Sequence, residues 1–372
     1  MSDPVDPARL ASFVSPHGFG HAARCSAVMA AAHRQGGVHF DLFTTAPRWF
    51  FDESIARIFR YHEAVVDVGF RQHSALEVDL PATIAALLDH VPLDEGLIDE
   101  LADRVRSAGC VGVLCDIAPL GIAVAEKAGL PSVLVENFSW PWLYEPYISD
   151  RPELEAIGVE LDRWSERATV HVQARPVCHR QSGLELVDPI SREPRLERAD
   201  ARRALGVEGD GPVVVLTMGG YGEEFPFLDR LRDVRDTTFV VTGMPATSID
   251  GNLLMFDNTT PLFMPDVLRA ADAVVAKLGY GTVAEVWREG LPFGHVTRRD
   301  FREMPPLERF AADEMSGFLI EGDAFASGYW VDRIPELLAK PRRPHSMGGA
   351  SRVAEILLDV SGLADPSVPT EP

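Results

Sequence analysis

Four cysteines in 372 residues, Cys25, Cys110, Cys115 and Cys178, supply no Cys-x-x-Cys pair, and no Cys/His cluster has zinc spacing. Buried free thiols in a reducing compartment are the expectation. Long apolar runs are also missing: none could span a bilayer, and the acidic start Met1-Ser-Asp-Pro-Val-Asp-Pro lacks the apolar centre of a secretory leader. A cytoplasmic location without an integral membrane segment follows as an expectation. Basic charge is scarce, with 35 Lys and Arg against 56 Asp and Glu, a net charge of −21. Such a balance opposes binding to nucleic-acid phosphates or to anionic membranes. No Asp-x-Asp metal motif occupies a suitable loop. The first glycine loop also lacks the third glycine spacing and the acidic residue of a dinucleotide fingerprint.

What is present is an alternation of short apolar runs with helical stretches. Residues 10–14, 38–44, 64–68, 111–115, 132–136 and 169–172 read as strands, and one helical stretch covers 81–107. The second half repeats the pattern, with strands at 212–217, 238–242, 253–256, 273–276 and 291–296. This alternation predicts an α/β fold built on parallel sheets with crossover helices. The length suggests two domains. An N-terminal domain over 1–180 is followed by a proline- and charge-rich connection at 181–207 and a second domain over 208–345. Residues 346–372 hold a closing helix, free to pack back on the first domain, and a Pro-rich tail. Each half carries a glycine loop after its first strand, which makes a ligand between the halves the natural expectation.

The chain is organised around Ala276-Lys-Leu-Gly-Tyr-Gly-Thr-Val-Ala-Glu-Val-Trp-Arg-Glu-Gly-Leu-Pro292. A strand leads into the tight turn Gly279, Tyr280, Gly281. Thr282 caps a helix that runs to Arg288, and Gly290-Leu-Pro292 stops it. The N–H groups of a first helical turn point at whatever lies before it, so the arrangement suits an anion. Glu285 lies one turn on, within reach of a sugar hydroxyl. A phosphate followed by a ribose matches that order of groups; an ordinary βα turn would look the same.

In the first loop His17 and His21 flank a glycine turn before a helix. Either they cap and pack the loop, or one of them is a base presented at a helix start. His21 and Asp116 both lie just past strand ends, where open parallel sheets bind ligands, so the two can be neighbours in space. The segment Asn137-Phe-Ser-Trp-Pro-Trp-Leu-Tyr-Glu-Pro-Tyr147 is either a hydrophobic cluster beneath a loop or a lining for a ring-shaped ligand.

Together, His17-Gly-Phe-Gly-His-Ala-Ala-Arg24, Asn137-Phe-Ser-Trp140 with Tyr144, Gly279-Tyr-Gly-Thr-Val-Ala-Glu285 and Arg299-Asp-Phe-Arg-Glu-Met-Pro-Pro-Leu307 resemble a known group. The layout is similar to that of GT-B glycosyltransferases, two Rossmann-like domains facing across a cleft. The nearer likeness is to the glycosyltransferase-like N-terminal half of plant-type L-arabinokinases. It runs from the first strand to about Leu307. Those proteins continue into a sugar-kinase half with its own phosphate loop. The present sequence stops short of one, so kinase activity is not expected.

The resemblance implies roles. His21 matches the general base and Asp116 the aspartate that orients it. An acceptor hydroxyl must lose its proton as it attacks the anomeric carbon, and an imidazole titrates near neutral pH. Thr282 and Glu285 match a phosphate- and ribose-binding pair, with Gly281 at the same helix start and backbone at Phe263 and Met264 holding the base. Gly219 and Gly220 would let backbone approach the diphosphate, and Asp300 and Glu303 would contact the donor sugar. His17, Phe19, Asn137, Trp140 and Tyr144 fall on the acceptor side. The implied activity is a metal-independent, inverting hexosyl- or pentosyltransferase. Its co-substrate is a nucleotide-diphosphate sugar, a UDP-sugar above all; it needs no cofactor, and its acceptor is a small molecule or glycan. A nucleotide-sugar epimerase or hydrolase on the same fold, or a non-catalytic nucleotide-sugar-binding module, are the competing readings.

Overall fold

The computed structural model describes residues 6–72, 78–219, 225–297, 301–343, 345 and 347–364. The chain divides into two units. The first runs to Ile190 and takes up the chain again from Gly348; the second is Ser191–Met347.

Seven strands make the first sheet: β1 (Arg9–Val14), β2 (His39–Thr44), β3 (Phe59–Glu63), β4 (Cys110–Asp116), β5 (Ser132–Glu136), β6 (Val170–Ala174) and β7 (Glu185–Val187). Their order is β3-β2-β1-β4-β5-β6-β7, and all pairs are parallel. β1 and β4 are central and nearly all buried, as expected of strands covered by helices on both faces. The sheet order reverses direction between β1 and β4, the place where such sheets open a crevice beyond their carboxyl ends.

The sequence reading differs here in several places. Residues 64–68 were expected as a strand, yet β3 is Phe59–Glu63 and the apolar run 64–70 continues as irregular chain. Val66 is buried in the core cluster with Phe13 and Phe43, Val68 and Phe70 are buried too, and Val65 is exposed. The helical stretch 81–107 is two helices, Leu80–His90 and Glu95–Ser107. Pro92 separates them, and Asp94 restarts the second by accepting from Leu97 N–H at 2.6 Å. The expected connection 181–207 contains β7 in the first unit and the helix Arg198–Ala204 in the second. The closing helix Gly349–Val360 lies in the first unit and packs on the helix Phe19–Gly36, where Gln35 Nε2 donates to Ser351 O at 3.2 Å. The tail residues 365–372 lie outside the described residues.

The second sheet holds β8 (Val213–Thr217), β9 (Thr238–Met244), β10 (Ser248–Asp250), β11 (Leu253–Asp257), β12 (Ala273–Lys277), β13 (Phe293–Val296) and β14 (Gly317–Ile320). Its order is β10-β11-β9-β8-β12-β13-β14, parallel except for the edge pair β10–β11. The reversal of order falls between β8 and β12, the same topological position as in the first unit. The helix Met304–Glu314 precedes β14.

Candidate active site

In the first unit, β1 ends at Val14 and the chain turns through Gly18, whose φ of +78° suits glycine, into the helix Phe19–Gly36. His21 is therefore in the first turn of that helix. Asp116 is the last residue of β4. The adjacency of β1 and β4 brings His21 Nδ1 to 2.9 Å from Asp116 Oδ1 across 95 positions of sequence.

A third residue completes the cluster. Arg24, 1% exposed, donates from Nε to Asp116 Oδ2 at 2.8 Å and from Nη2 to Asp116 Oδ1 at 2.6 Å. Its Nη1 donates to Asn137 Oδ1 at 2.7 Å. Burial alone would raise the Asp116 carboxyl; Arg24 overcomes it, and the net direction is down. Arg24 Nη2 also lies 3.2 Å from His21 Nδ1. Because the ionised Asp116 carboxylate can only accept, and Arg24 Nη2 already donates to Asp116 Oδ1 at 2.6 Å, the assignment taken here has Nδ1–H of His21 donating to Asp116, which leaves the Nε2 lone pair for a substrate proton. Directly after Asp116, Ile117 has a φ of +48°, an outlier for a β-branched residue and a cost of order 1–3 kcal/mol. Its carbonyl accepts from Trp140 Nε1 at 3.2 Å, and its N–H donates to Val135 O.

His17 is fixed differently. Its Nδ1 accepts from Phe70 N–H at 3.2 Å, so in the neutral ring the proton sits on Nε2. Gly69, with φ +61°, permits this approach: a Cβ there would stand 2.7 Å from the His17 ring. Trp140 and Tyr144 are 1% and 0% exposed and stack at 6.1 Å, with Phe70 edge-on to both. They form the wall behind the histidines. Asn137 is buried as the partner of Arg24, and Phe19 stacks on Phe50 at 5.1 Å, away from that wall.

Asp67 was not singled out by its sequence. It is 5% exposed and accepts from Ser15 Oγ at 2.5 Å. Burial pushes its carboxyl up to about 6, against the opposing effects of Ser15, His21, Val68 N–H and Trp140.

In the second unit the helix Tyr280–Glu289 follows β12. Thr282, expected as its cap, is the third helical residue. Gly279 is the N-cap and, having no side chain, offers no side-chain bond; the buried Tyr280 is the first helical residue. The first turn thus presents backbone N–H groups at Tyr280, Gly281 and Thr282. Gly219, with φ +76°, closes β8 beside it, and a Cβ there would stand 3.9 Å from Lys277 Nζ. Glu285 is buried and its Oε1 accepts from Arg192 Nε at 2.9 Å, a partner the sequence reading did not foresee. Arg192 and Arg195 lie over the Phe263 ring at 5.1 and 3.9 Å, and Met264 begins the helix Met264–Ala270. Glu303 is buried at the N-cap of Met304–Glu314. Gly220 and Asp300 lie outside the described residues.

Arg24 was legible in one respect: it lies three residues after His21 in an Ala-rich helix and so on the same face. Asp67 interrupts an apolar run, a weaker signal. Arg192 carried none, since its partner lies 93 residues away.

No family model matches the chain. L-arabinokinase of Arabidopsis thaliana is 26% identical over 363 residues, which is 95% of this chain and 34% of that protein. The chain thus spans about a third of the length of the curated relative it matches. Among solved structures, the glycotransferase of kitacinnamycin superposes with a TM-score of 0.64 at 15% identity, over 96% of this chain and 100% of that one. CalG4, the calicheamicin glycosyltransferase, gives 0.61 at 15% identity over 98% and 96%. The spinosyn forosaminyltransferase SpnP gives 0.60 at 15% over 96% and 95%. At such identities the likeness shows the fold: the chain has the GT-B glycosyltransferase fold, with a Rossmann-like unit in each half. Among the described residues no helix is long and apolar enough to cross a membrane.

Proposed function

We propose that the chain is an inverting, metal-independent glycosyltransferase that moves a sugar from a nucleotide diphosphate, a UDP-sugar first of all, to an acceptor hydroxyl. The observation that carries the reading is the His21–Asp116 pair at the β1/β4 reversal, with His21 Nε2 left as the acceptor of a proton. In this reading the hydroxyl proton passes to His21 Nε2 as the oxygen bonds to the anomeric carbon. The bond from that carbon to the diphosphate breaks with its electron pair. The growing phosphate charge is assigned to the N–H groups at Gly281 and Thr282 and to the positive end of their helix. Glu285 is assigned to the ribose through the oxygen that Arg192 Nε does not occupy. His17 carries its proton on Nε2 and is assigned a shaping role. His21, Asp116, Thr282 and Glu285 are the centre of this assignment; Gly219, Phe263, Met264 and Glu303 complete the donor side.

The fully buried state of Trp140 and Tyr144 favours a second reading, a nucleotide-sugar hydrolase or epimerase, which needs no acceptor pocket. Incubation with a panel of UDP-, GDP- and TDP-sugars, with and without hydroxyl acceptors, separates the two. Acceptor-dependent release of the nucleotide supports transfer, acceptor-free conversion supports the second reading, and binding without conversion overturns both.

A further inference from the structure

Ile117 directly follows Asp116, and its backbone carries the strain of the site. A β-branched residue at φ +48° persists only where its surroundings hold it there. The peptides on both sides of Ile117 are held. Its N–H donates to Val135 O at 3.2 Å, and its carbonyl accepts from Trp140 Nε1 at 3.2 Å. Both partners come from one segment, β5 and the short helix Trp140–Tyr144 that follows it. Asn137 of the same segment accepts from Arg24. Ser139 caps the short helix, its Oγ accepting from Trp142 N–H at 3.4 Å, which fixes the turn that carries Trp140. The indole ring also packs against both histidines, with centroids 5.2 Å from His17 and 6.3 Å from His21.

We infer that Trp140 is a positioning residue for the His21–Asp116 pair. Its ring N–H clamps the strained Ile117 turn, and that turn sets the direction in which Asp116 leaves β4. Asp116 in turn sets the tautomer of His21. The inference rests on the transferase reading for the step that the pair performs. It gives Trp140 a task other than lining an acceptor pocket, in keeping with a side chain that is 1% exposed.

An indole suits this task because its ring nitrogen donates and never accepts. It holds a carbonyl without competing for the protons of the two histidines. Phenylalanine at 140 keeps a ring in place but leaves the buried Ile117 carbonyl without its donor. The turn then relaxes toward an ordinary backbone region and carries Asp116 with it. Glycine at 117 removes the reason to relax, since it adopts a positive φ without steric cost. The two substitutions are therefore coupled in one direction: Trp140→Phe costs much with isoleucine at 117 and little with glycine there.

The test compares the parent protein with Trp140→Phe, Ile117→Gly and the double variant. Nitrogen NMR of the histidine rings at about pH 8, where an ordinary imidazole is neutral, reads the His21 tautomer, and His21→Gln assigns its signals. The parent should show the Nδ1–H form alone, Trp140→Phe a mixture, and the double variant the parent's form again. In transfer kinetics Trp140→Phe should lower kcat on the order of 10- to 100-fold, with nucleotide affinity by calorimetry unchanged. That loss should shrink in the Ile117→Gly background; the packing lost with the isoleucine side chain is common to both arms of the cycle and cancels. An unchanged His21 tautomer in Trp140→Phe overturns the inference, and so do additive effects of the two substitutions, which mark plain packing. A mixed tautomer restored by Ile117→Gly, in a protein that transfers no sugar, keeps the clamp and overturns the reaction assignment instead. If Trp140→Phe does not fold, recovery of the fold in the double variant supports the clamp, and failure of both overturns it.

Discussion

Arg24 donates through two nitrogens to the two oxygens of Asp116, across 92 positions of sequence, and its third terminal group holds Asn137. The first helix, the end of β4 and the loop after β5 are thereby tied at one buried point. The orientation of Asp116, and through it the tautomer of His21, depends on this arginine.

Removing the base is the most direct check of the proposed chemistry. His21→Ala should slow single-turnover transfer by roughly 10²–10⁴-fold, with nucleotide affinity nearly unchanged. Asp116→Asn should show a related loss, and the double substitution should be non-additive. His17→Ala should cost less, since its Nδ1 is engaged by Phe70 N–H. Full activity in His21→Ala with collapse in His17→Ala would mean that the other histidine is the base.

Arg24→Met should destabilise the first unit by about 3–5 kcal/mol, because it strands the buried Asp116 charge. The sign of its pH dependence follows from Asp116. That carboxyl is held below its ordinary value, so its contribution is present above about pH 4 and is lost as pH falls through the lower folded-state value. Urea unfolding of Arg24→Met and parent should therefore differ at pH 7 and converge in strong acid. Equal stability at pH 7 would show that the pair adds nothing to the fold.

Glu285→Gln should weaken nucleotide binding by about 1.5–3 kcal/mol if its carboxylate takes a ribose hydroxyl. Glutamine is preferred to alanine because a truncated side chain would leave Arg192 buried without its partner. Calorimetry with UDP and 2′-deoxy-UDP reads the contact: the parent should favour UDP, and the variant should lose most of that preference. Unchanged affinity for every nucleotide that binds the parent rules out the ribose assignment.

Tyr144→Phe separates the two readings of the aromatic segment. Among the described residues the buried Tyr144 hydroxyl has no hydrogen-bond partner, so its removal should be neutral or stabilising by up to about 1–3 kcal/mol. If the ring only packs, acceptor KM should stay within about twofold, since nothing that touches the acceptor is lost. A marked rise in acceptor KM with no change in nucleotide affinity would place the hydroxyl against the acceptor instead.

The α/β class and the places of β1, β4, β5, β8 and β12 were legible because each is an apolar run between glycine or proline signals. The His21–Asp116 proximity was legible for a related reason: parallel sheets collect chemistry beyond their carboxyl ends, and both residues stand there. Local pattern failed where burial comes from something other than a sheet or a helix face. Residues 64–68 look like a strand because they are mostly apolar, yet they form irregular chain in which Val66 and Val68 are buried and Val65 is exposed. Thr282 looks like a cap, but the helix starts two residues earlier, at the buried Tyr280. The electrostatics were decided by tertiary structure alone. Arg24 on Asp116, Arg192 on Glu285 and Ser15 on Asp67 join residues 92, 93 and 52 positions apart. Coulomb interaction and desolvation depend on distance and depth, and neither exists for such pairs until the sheet order has brought them together.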